Sequence, residues 1–315
     1  MTTTDLFEPI PYALFAEDKT AFAEALGQSF RETGFAVIEG HSVPQAVIDD
    51  NLAAAKAFFA LPDDTKRRYD DSAGGGQRGY TAFGAENAKG NTAADLKEFW
   101  HTGRTGTAGS PHEAIMRPTP SVSEVDDFDA ASRALFDALD AMGAQLLRAV
   151  ALHLGLEEHW FDDRVREGNS ILRLLHYPPQ TTPPPPGSVR AGAHEDINVI
   201  TLLLGADEAG LQVRHRSGEW LSVNPPAGAL VVNVGDMLQR LTGGVLPSTT
   251  HRVLNPSPER ARFPRYSTPF FLHFAPDVMI ESLAKCLAEG GNAFAPISAQ
   301  DYLMERLREI GLVKT

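Results

Sequence analysis

Residues 191–204 read AGAHEDINVITLLL. His194 and Asp196 lie two residues apart at the beginning of a run rich in β-branched residues and leucine, which is typical of a strand. Because side chains alternate between the two faces of a strand, both residues are predicted to project from the same face of a sheet. An imidazole nitrogen and a carboxylate oxygen on one face are two candidate ligands for a metal ion.

A third candidate ligand lies further along the chain. A His-x-Asp pair also arises by chance in a chain with ten histidines, so the pair alone does not identify a metal site. His251, in PSTTHRVLNP, begins another β-like segment, and the intervening strands and turns are able to bring it to Asp196 across a barrel. Two histidines and one carboxylate leave metal positions open, as a non-haem Fe(II) oxygenase requires. Other histidines lack a partner at useful spacing or lie in a polar turn: His41, His101, His112, His153, His159 and His215.

A second group of polar residues follows in RYSTPFFLHF (265–274). Arg265 and Ser267 are again two residues apart and are predicted to share a strand face. A guanidinium group binds a carboxylate through two parallel hydrogen bonds, and a neighbouring hydroxyl adds a third donor. The pair is therefore a candidate site for a small dianion, the alternative being a surface arginine in a partly exposed strand.

The remaining sequence divides into a helix-rich first half and a strand-rich second half. Apolar spacings of three and four predict helices over residues 19–33, 44–61 and 123–156, and a last helix over residues 298–310. After about residue 170, short apolar runs alternate with turns, which predicts a sandwich or barrel. The runs expected to be strands are GFAVIEG (34–40), ILRLLHY (171–177), INVITLLL (197–204), LQVRH (211–215), ALVVNVG (229–235), HRVL (251–254) and YSTPFFLHF (266–274), and TTPPPPG (181–187) is expected to be an extended loop.

Composition excludes several classes of partner. The net charge of -13 disfavours binding to nucleic acid and to anionic lipid, because both are bound mainly by clustered Lys and Arg. No apolar stretch is long enough for a transmembrane helix. The single cysteine, Cys286, cannot form an intramolecular disulfide, and the N-terminus lacks a basic and apolar leader, so a reducing cytoplasm is expected.

In order and spacing, these segments resemble the isopenicillin N synthase-like 2-oxoglutarate/Fe(II)-dependent dioxygenases. The resemblance is carried by HEDINVITLLL, by the stretch from GLQVRH to STTHRV and by RYSTPFFLHF in the second half of the chain. FRETGFAVIEGHSVP, AFFALPDDTKRRY, RGYTAFGAEN and DLKEFW are similar to the N-terminal region of that family, so nearly the whole chain is covered.

The resemblance implies a mainly β fold with flanking helices and a double-stranded β-helix (jelly roll, cupin-like) core. His194, Asp196 and His251 match the iron ligands of the family, and Arg265 with Ser267 match the residues that bind the C5 carboxylate of 2-oxoglutarate. Tyr177 matches the tyrosine of the Asn-x-Tyr-Pro signature, whose hydroxyl reaches the cosubstrate. The asparagine of that signature is replaced by Leu175, so the contact made by that amide is missing.

The function implied is oxidation of a small molecule, by hydroxylation or desaturation, with Fe(II), 2-oxoglutarate and O2 and release of succinate and CO2. The alternatives are a ring-closing oxidase or ethylene-forming lyase on the same scaffold, and a non-enzymatic binding descendant. Four regions are expected to form one catalytic unit: a mixed α/β region (1–120), a scaffold helix (121–160), the jelly-roll core (161–280) and a C-terminal helical segment (281–315). The oligomeric state is not indicated by these patterns.

The substrate is not identified by these patterns. Phe271 and His273 have the same parity as Arg265 and Ser267, so they are candidates for facing the pocket, with core packing as the alternative for Phe271. The glycine-rich loop SAGGGQRGY (72–80), including Tyr80, is a candidate lid, with a flexible turn as the alternative.

Overall fold

The computed structural model of the protein describes residues 6–70, 76–85, 96–180, 189–204 and 210–309. Within these residues the helices are α1 (Leu14–Glu17), α2 (Lys19–Thr33), α3 (Gln45–Phe59), α4 (Asp63–Lys66), α5 (Phe128–His153), α6 (Asp162–Val165), α7 (Asp236–Leu241), α8 (Ala284–Ala288) and α9 (Ala299–Glu309). The strands are β1 (Ile10–Pro11), β2 (Phe35–Glu39), β3 (Gly79–Thr81), β4 (Glu98–Gly103), β5 (Ile171–Tyr177), β6 (Ala191–His194), β7 (Ile200–Leu204), β8 (Leu211–Arg214), β9 (Trp220–Ser222), β10 (Leu230–Val234), β11 (His251–Val253), β12 (Arg265–Ser267), β13 (Pro269–Leu272), β14 (Met279–Ile280) and β15 (Ile297–Ser298). The loop expected at 181–187 and residues 72–75 of the candidate lid lie outside the described residues.

Two sheets form the core. The larger has nine strands in the order β1-β2-β10-β7-β13-β5-β4-β3, with β12 also paired to β5, and the smaller has the order β6-β11-β8-β9. Phe35, Val37 and Val231 of the larger sheet form one buried apolar cluster with Val213 of the smaller sheet. The two sheets therefore face each other, which confirms the predicted jelly-roll core with flanking helices.

The outer face of the large sheet is covered by helices. Phe136 of α5 packs edge-on against Phe270 of β13, with ring centroids 5.1 Å apart. At Gly143 of α5 a Cβ atom would lie 2.4 Å from Leu272 Cδ1, so glycine is what permits this close approach of helix and sheet. One continuous cluster of buried apolar side chains extends from Ile10 to Leu307.

The helix predictions agree with the structure to within a few residues. The helix predicted over residues 19–33 is α2 itself, in which Asp18 accepts a hydrogen bond from the Ala21 backbone and Gly34 ends the helix with φ 74°. The long helix predicted from residue 123 begins at Phe128 instead. Asp127, immediately before it, has φ 58°, a left-handed conformation that cannot continue a helix upstream.

A buried ionic cluster lies on the outer face of β4 and β5. Glu98 binds Lys66 Nζ through Oε2 at 2.8 Å and His176 Nδ1 through Oε1 at 2.7 Å, and it also accepts from the Tyr80 hydroxyl. Burial alone would raise the pKa of Glu98, but the bonds from His176, Lys66 and Tyr80 hold it below its ordinary value. Tyr80 therefore belongs to this cluster and to the apolar core, and the interpretation of Tyr80 as part of a lid is wrong.

We expect Lys66→Met to destabilise the fold by about 3–5 kcal/mol, because it leaves the carboxylate of Glu98 buried without its cation. Both side chains are at most 5 % exposed. Lys19→Met is the matched control, since it removes an ion pair with Glu158 in which the side chains are 42 % and 29 % exposed, worth about 0–1 kcal/mol. Chemical denaturation of both variants measures the difference. Equal losses would show that the buried pair contributes no more than the exposed one.

The structure gives the environment of the single cysteine and the properties of the helices that bear on a membrane span. Cys286 is buried in α8, and burial raises the pKa of its thiol, as expected for a packing residue. In the part of the chain that the structure describes, no helix has the length and apolarity needed to cross a membrane.

Candidate functional site

The structure brings the three predicted metal ligands together at the end of the small sheet. One donor atom from each of His194, Asp196 and His251 lies within 4.8 Å of the others. Asp196 Oδ1 is 3.7 Å from His194 Nε2 and 3.9 Å from His251 Nε2. His194 and His251 are direct cross-strand partners in β6 and β11, which explains why two distant histidines meet.

The reason for the approach of His194 and Asp196 differs from the prediction. β6 ends at His194, and Asp196 lies beyond the strand, in the connection to β7. The backbone N–H of Asp236, at the beginning of α7, donates to the carbonyl of Asp196 at 2.7 Å and fixes this connection. His194 and Asp196 therefore lie together as predicted, but a backbone contact outside the strand, and not strand parity, fixes the position of Asp196.

The hydrogen bonds of the histidines leave their Nε2 atoms available. His194 Nδ1 is 2.7 Å from the carbonyl of Gly192, and His251 Nδ1 is 3.1 Å from the carbonyl of Thr249. Because a carbonyl oxygen only accepts, each Nδ1 carries the proton and each Nε2 keeps its lone pair. Partial desolvation and the neighbouring His251 lower the pKa of His194, whose side chain is 40 % exposed, and this favours the neutral ring that a metal needs.

Asp196 is held by its second oxygen. Oδ2 accepts from Thr201 Oγ1 at 2.6 Å and from Asn233 Nδ2 at 2.8 Å, which leaves Oδ1 facing the histidines. Burial alone would raise the pKa of Asp196, but the two histidines and these two donors lower it, so the carboxylate is ionised. Two neutral imidazoles and one carboxylate, with their outer hydrogen bonds satisfied, fit an Fe(II) ion.

Arg265, Ser267 and Tyr177 form a second group on neighbouring strands. In the pairing of β12 with β5, Arg265 lies opposite Tyr177 and Ser267 lies opposite Leu175. Arg265 Cζ is 5.1 Å from the centre of the Tyr177 ring, and all three side chains are buried. Leu175 packs with Phe99 and Tyr177 in a small apolar cluster. The residue that replaces the asparagine of the Asn-x-Tyr-Pro signature is therefore part of the apolar lining beside Tyr177.

Other residues at the site were not found from the sequence. Thr201 and Asn233 come from β7 and β10, and nothing in their local pattern points to Asp196. Arg190, 2 % exposed, places its Cζ 5.5 Å from the Tyr177 ring and immediately precedes β6, outside the runs predicted as strands. Lys97 is buried immediately before β4, and its charge is a minor cause of the lowered pKa of His194.

The candidate substrate-facing residues lie near these groups. Phe271 is the cross-strand partner of Thr201, which binds Asp196, and Arg173 Cζ lies 5.3 Å from its ring. His273 is buried beyond β13, and burial lowers its pKa to about 4. A pocket-facing role for both stays a prediction. Among the described residues, only His194, Asp196 and His251 form a group of three or more potential metal ligands.

Comparison with known proteins gives the family. Residues 168–274 match the profile of the 2OG-Fe(II) oxygenase superfamily, and residues 9–124 match that of the non-haem dioxygenase in morphine synthesis N-terminal region. The chain is 33 % identical over 307 residues to the 2-oxoglutarate-Fe(II) type oxidoreductase hxnY of Emericella nidulans, covering 94 % of this chain and 86 % of that protein.

Two solved structures extend the similarity. A 2OG-Fe(II) oxygenase family protein from Caulobacter crescentus is 50 % identical, with a TM-score of 0.90 and coverage of 96 % of this chain and 99 % of that one. A full-length Neurospora crassa protein, solved in complex with alpha-KG, is 30 % identical with a TM-score of 0.85, covering 96 % and 95 %. The chain therefore belongs to the 2OG-Fe(II) oxygenase superfamily and is a 2-oxoglutarate- and Fe(II)-dependent oxygenase.

Proposed function

We propose that His194, Asp196 and His251 bind the Fe(II) ion of this oxygenase. The observation that carries the proposal is the orientation of the three donors: both Nε2 atoms lie within 3.9 Å of Asp196 Oδ1, while every other polar atom of these side chains is hydrogen-bonded to the protein. Such outer hydrogen bonds orient ligands and fix the tautomer of ligating histidines.

We also propose that Arg265, Ser267 and Tyr177 bind the carboxylate of 2-oxoglutarate that is remote from the metal. A buried guanidinium keeps its charge at any working pH, and Ser267 on β12 and Tyr177 on the paired strand β5 each offer a hydroxyl donor. Leu175 and Phe99 form an apolar wall beside them, which limits the access of water to the bound anion.

With Fe(II) and 2-oxoglutarate bound, the site supplies the activation of O2 that oxidises a small-molecule substrate and releases succinate and CO2. The residues of the chain orient the reactants. Thr201 and Asn233 hold Asp196 in position, and the carbonyls that accept from the two Nδ1 atoms orient both imidazole rings. We propose that the oxidation is a hydroxylation or a desaturation.

We also propose the class of substrate, the absence of macromolecular partners, the cellular location and the domain organisation. The Neurospora crassa protein has also been solved with thymine bound, a small molecule, which supports a small-molecule substrate here. The net charge of -13 supports the absence of nucleic-acid and membrane partners, and the one buried cysteine supports a cytoplasmic location. The apolar cluster shared by Ile10 and Leu307 supports treating regions 1–120, 121–160, 161–280 and 281–315 as one catalytic unit.

Stoichiometry of the products tests the reaction class. The protein with Fe(II), 2-oxoglutarate and O2 is incubated with a panel of amino acids, hormone-like acids and flavonoid-like aromatics, and succinate and oxidised product are quantified together. We expect equal amounts for the true substrate. Oxidised product without succinate would show a ring-closing or fragmenting oxidase instead.

We expect Thr201→Val to weaken Fe(II) binding by about 10- to 100-fold, as is typical for the loss of a partner that orients a metal ligand. Valine has nearly the same shape but cannot donate to Asp196 Oδ2. The control is Thr20→Val, on the exposed surface of α2. Equilibrium binding of Fe(II) without O2 measures the effect, and equal affinities of the two variants would contradict the assigned role of Thr201.

A further inference from the structure

Arg173 is held in a cage of side chains on the inner face of β4 and β5. Its Cζ lies 4.3 Å from the centre of the Phe99 ring and 5.3 Å from that of Phe271. Its Nε donates to His101 Nε2 at 2.6 Å, and His101 Nδ1 lies 2.7 Å from the carbonyl of Gly76. Because that carbonyl only accepts, His101 is protonated at Nδ1, and its Nε2 is the acceptor that orients the guanidinium. We call Arg173, His101, Phe99 and Phe271 the Arg173 cage.

The Arg173 cage lies close to the proposed iron site and on the same face of the sheet. Arg173 and Tyr177 are four residues apart in β5, so they share a strand face. Phe271 of the cage is paired with Thr201, whose hydroxyl binds Asp196. Neighbouring strands are about 4.8 Å apart, so β5 is roughly 10 Å from β7. A small molecule of about this length would reach from Arg173 to the proposed iron site.

The Arg173 cage is also separate from the proposed cosubstrate site. Four residues of a strand extend about 13 Å, and Leu175 lies between Arg173 and Tyr177 on the same face. The backbone positions that carry Arg173 and Tyr177 are therefore well separated along β5, and Arg265 lies opposite Tyr177 rather than Arg173. A carboxylate bound at Arg173 would belong to a ligand other than 2-oxoglutarate.

We propose that the Arg173 cage binds a carboxylate of the primary substrate and that Phe271 packs against the apolar body of that substrate. The inference rests on the proposed function, because it places the substrate beside the same iron. A guanidinium recognises a carboxylate through two parallel hydrogen bonds, and ring contacts together with the His101 bond fix its orientation before the ligand arrives. Pre-orientation lowers the entropy cost of binding, so the cage selects small carboxylic acids with an apolar or aromatic body.

Binding without turnover tests the proposal. The protein is loaded with Fe(II) and saturating 2-oxoglutarate in the absence of O2 and titrated calorimetrically with matched acids and amides: phenylacetate and phenylacetamide, 2-naphthoate and 2-naphthamide, hexanoate and hexanamide. We expect at least one acid to bind about 10-fold or more tightly than its amide. We expect Arg173→Gln to weaken binding of that acid by about 10- to 100-fold and to leave binding of the amide unchanged.

Two further variants keep the test decisive. Arg164→Gln is the matched control, because Arg164 also stacks on an aromatic ring, with Cζ 3.6 Å from the centre of Trp160 in a region outside the site. Arg173→Lys keeps the charge without the planar fork and should bind the acid with intermediate affinity. A variant that binds 2-oxoglutarate with wild-type affinity is folded. If Arg173→Gln does not fold, Arg173→Lys is the test instead. In that case, an affinity of Arg173→Lys for the acid equal to that of the wild type contradicts the proposal.

The remaining outcomes separate this proposal from the proposed function. If the wild type binds 2-oxoglutarate but prefers no acid, or if the preference survives in Arg173→Gln, the role of the Arg173 cage is refuted and the proposed function stands. If the wild type with Fe(II) does not bind 2-oxoglutarate, both are refuted.

Discussion

His194→Ala is expected to abolish turnover and to weaken Fe(II) binding by more than about 100-fold, beyond the loss typical for partners that only orient a ligand. The substitution removes one of three donors and leaves Asp196 and His251. The side chain of His194 is 40 % exposed, so its removal creates no buried cavity and the fold should be retained. Equilibrium Fe(II) binding without O2 and succinate formation with O2 measure the two effects.

His215→Ala is the control for this experiment. His215 lies in an exposed turn after β8, where its Nδ1 contacts the Ser217 hydroxyl at 3.0 Å, and it is not one of the three clustered donors. The His215→Ala variant should bind Fe(II) and turn over 2-oxoglutarate as the wild type does. Retained activity in His194→Ala, with a normal thermal transition, would remove His194 from the metal site.

Short-range periodicity explains what the sequence predicted correctly. Arg265 and Ser267 lie two residues apart within one strand, and the pairing of β12 and β13 with β5 continues without a shift in register from Ser267 to Phe271. Parity is exact within such a strand, so the shared face was predictable. Local periodicity also predicted α2, because apolar spacings of three and four recur within residues 19–33.

Contacts between distant segments explain which site and core residues could not be predicted from the sequence. Thr201 and Asn233 reach Asp196 only because β7 pairs with β10, and no local pattern encodes that register. Tyr80 ends the glycine-rich loop that is a candidate lid in the sequence, but in the structure it lies opposite Trp100 in the short strand β3 and enters the core. A three-residue edge strand has too little alternation to show which of its faces is buried.

The two sides of β4 and β5 have different roles. On the outer face, Glu98 and His176 are cross-strand partners in the buried ionic cluster, and Tyr266 of β12 stacks on His176 at 4.9 Å. On the inner face, Phe99 and Leu175 are partners beside the proposed cosubstrate site. The ionic cluster therefore stabilises, from the outer face of the sheet, the strands that carry Tyr177 and Arg265 on the inner face.

Arg265→Ala is expected to weaken 2-oxoglutarate binding by about 2–4 kcal/mol, or about 30- to 900-fold, and to leave Fe(II) binding unchanged. The substitution removes a buried guanidinium, 8 % exposed, that lies opposite Tyr177 on the neighbouring strand. A carboxylate bound there would lose two charge-assisted hydrogen bonds at once, and the Tyr177 and Ser267 hydroxyls carry no charge to replace them. Titration with 2-oxoglutarate in the presence of Fe(II) and without O2 measures the change.

Arg262→Ala is the matched control, because Arg262 lies on an exposed turn three residues before Arg265 and its loss should have no effect on the affinity for 2-oxoglutarate.

The 2-oxoglutarate affinity of Arg265→Ala also tests which arginine binds the cosubstrate carboxylate. Arg190 lies beside the same tyrosine, with its Cζ 5.5 Å from the Tyr177 ring. If Arg265→Ala bound 2-oxoglutarate as tightly as the wild type, Arg265 would not be the carboxylate-binding residue, and the double variant with Arg190→Ala would show whether Arg190 has that role.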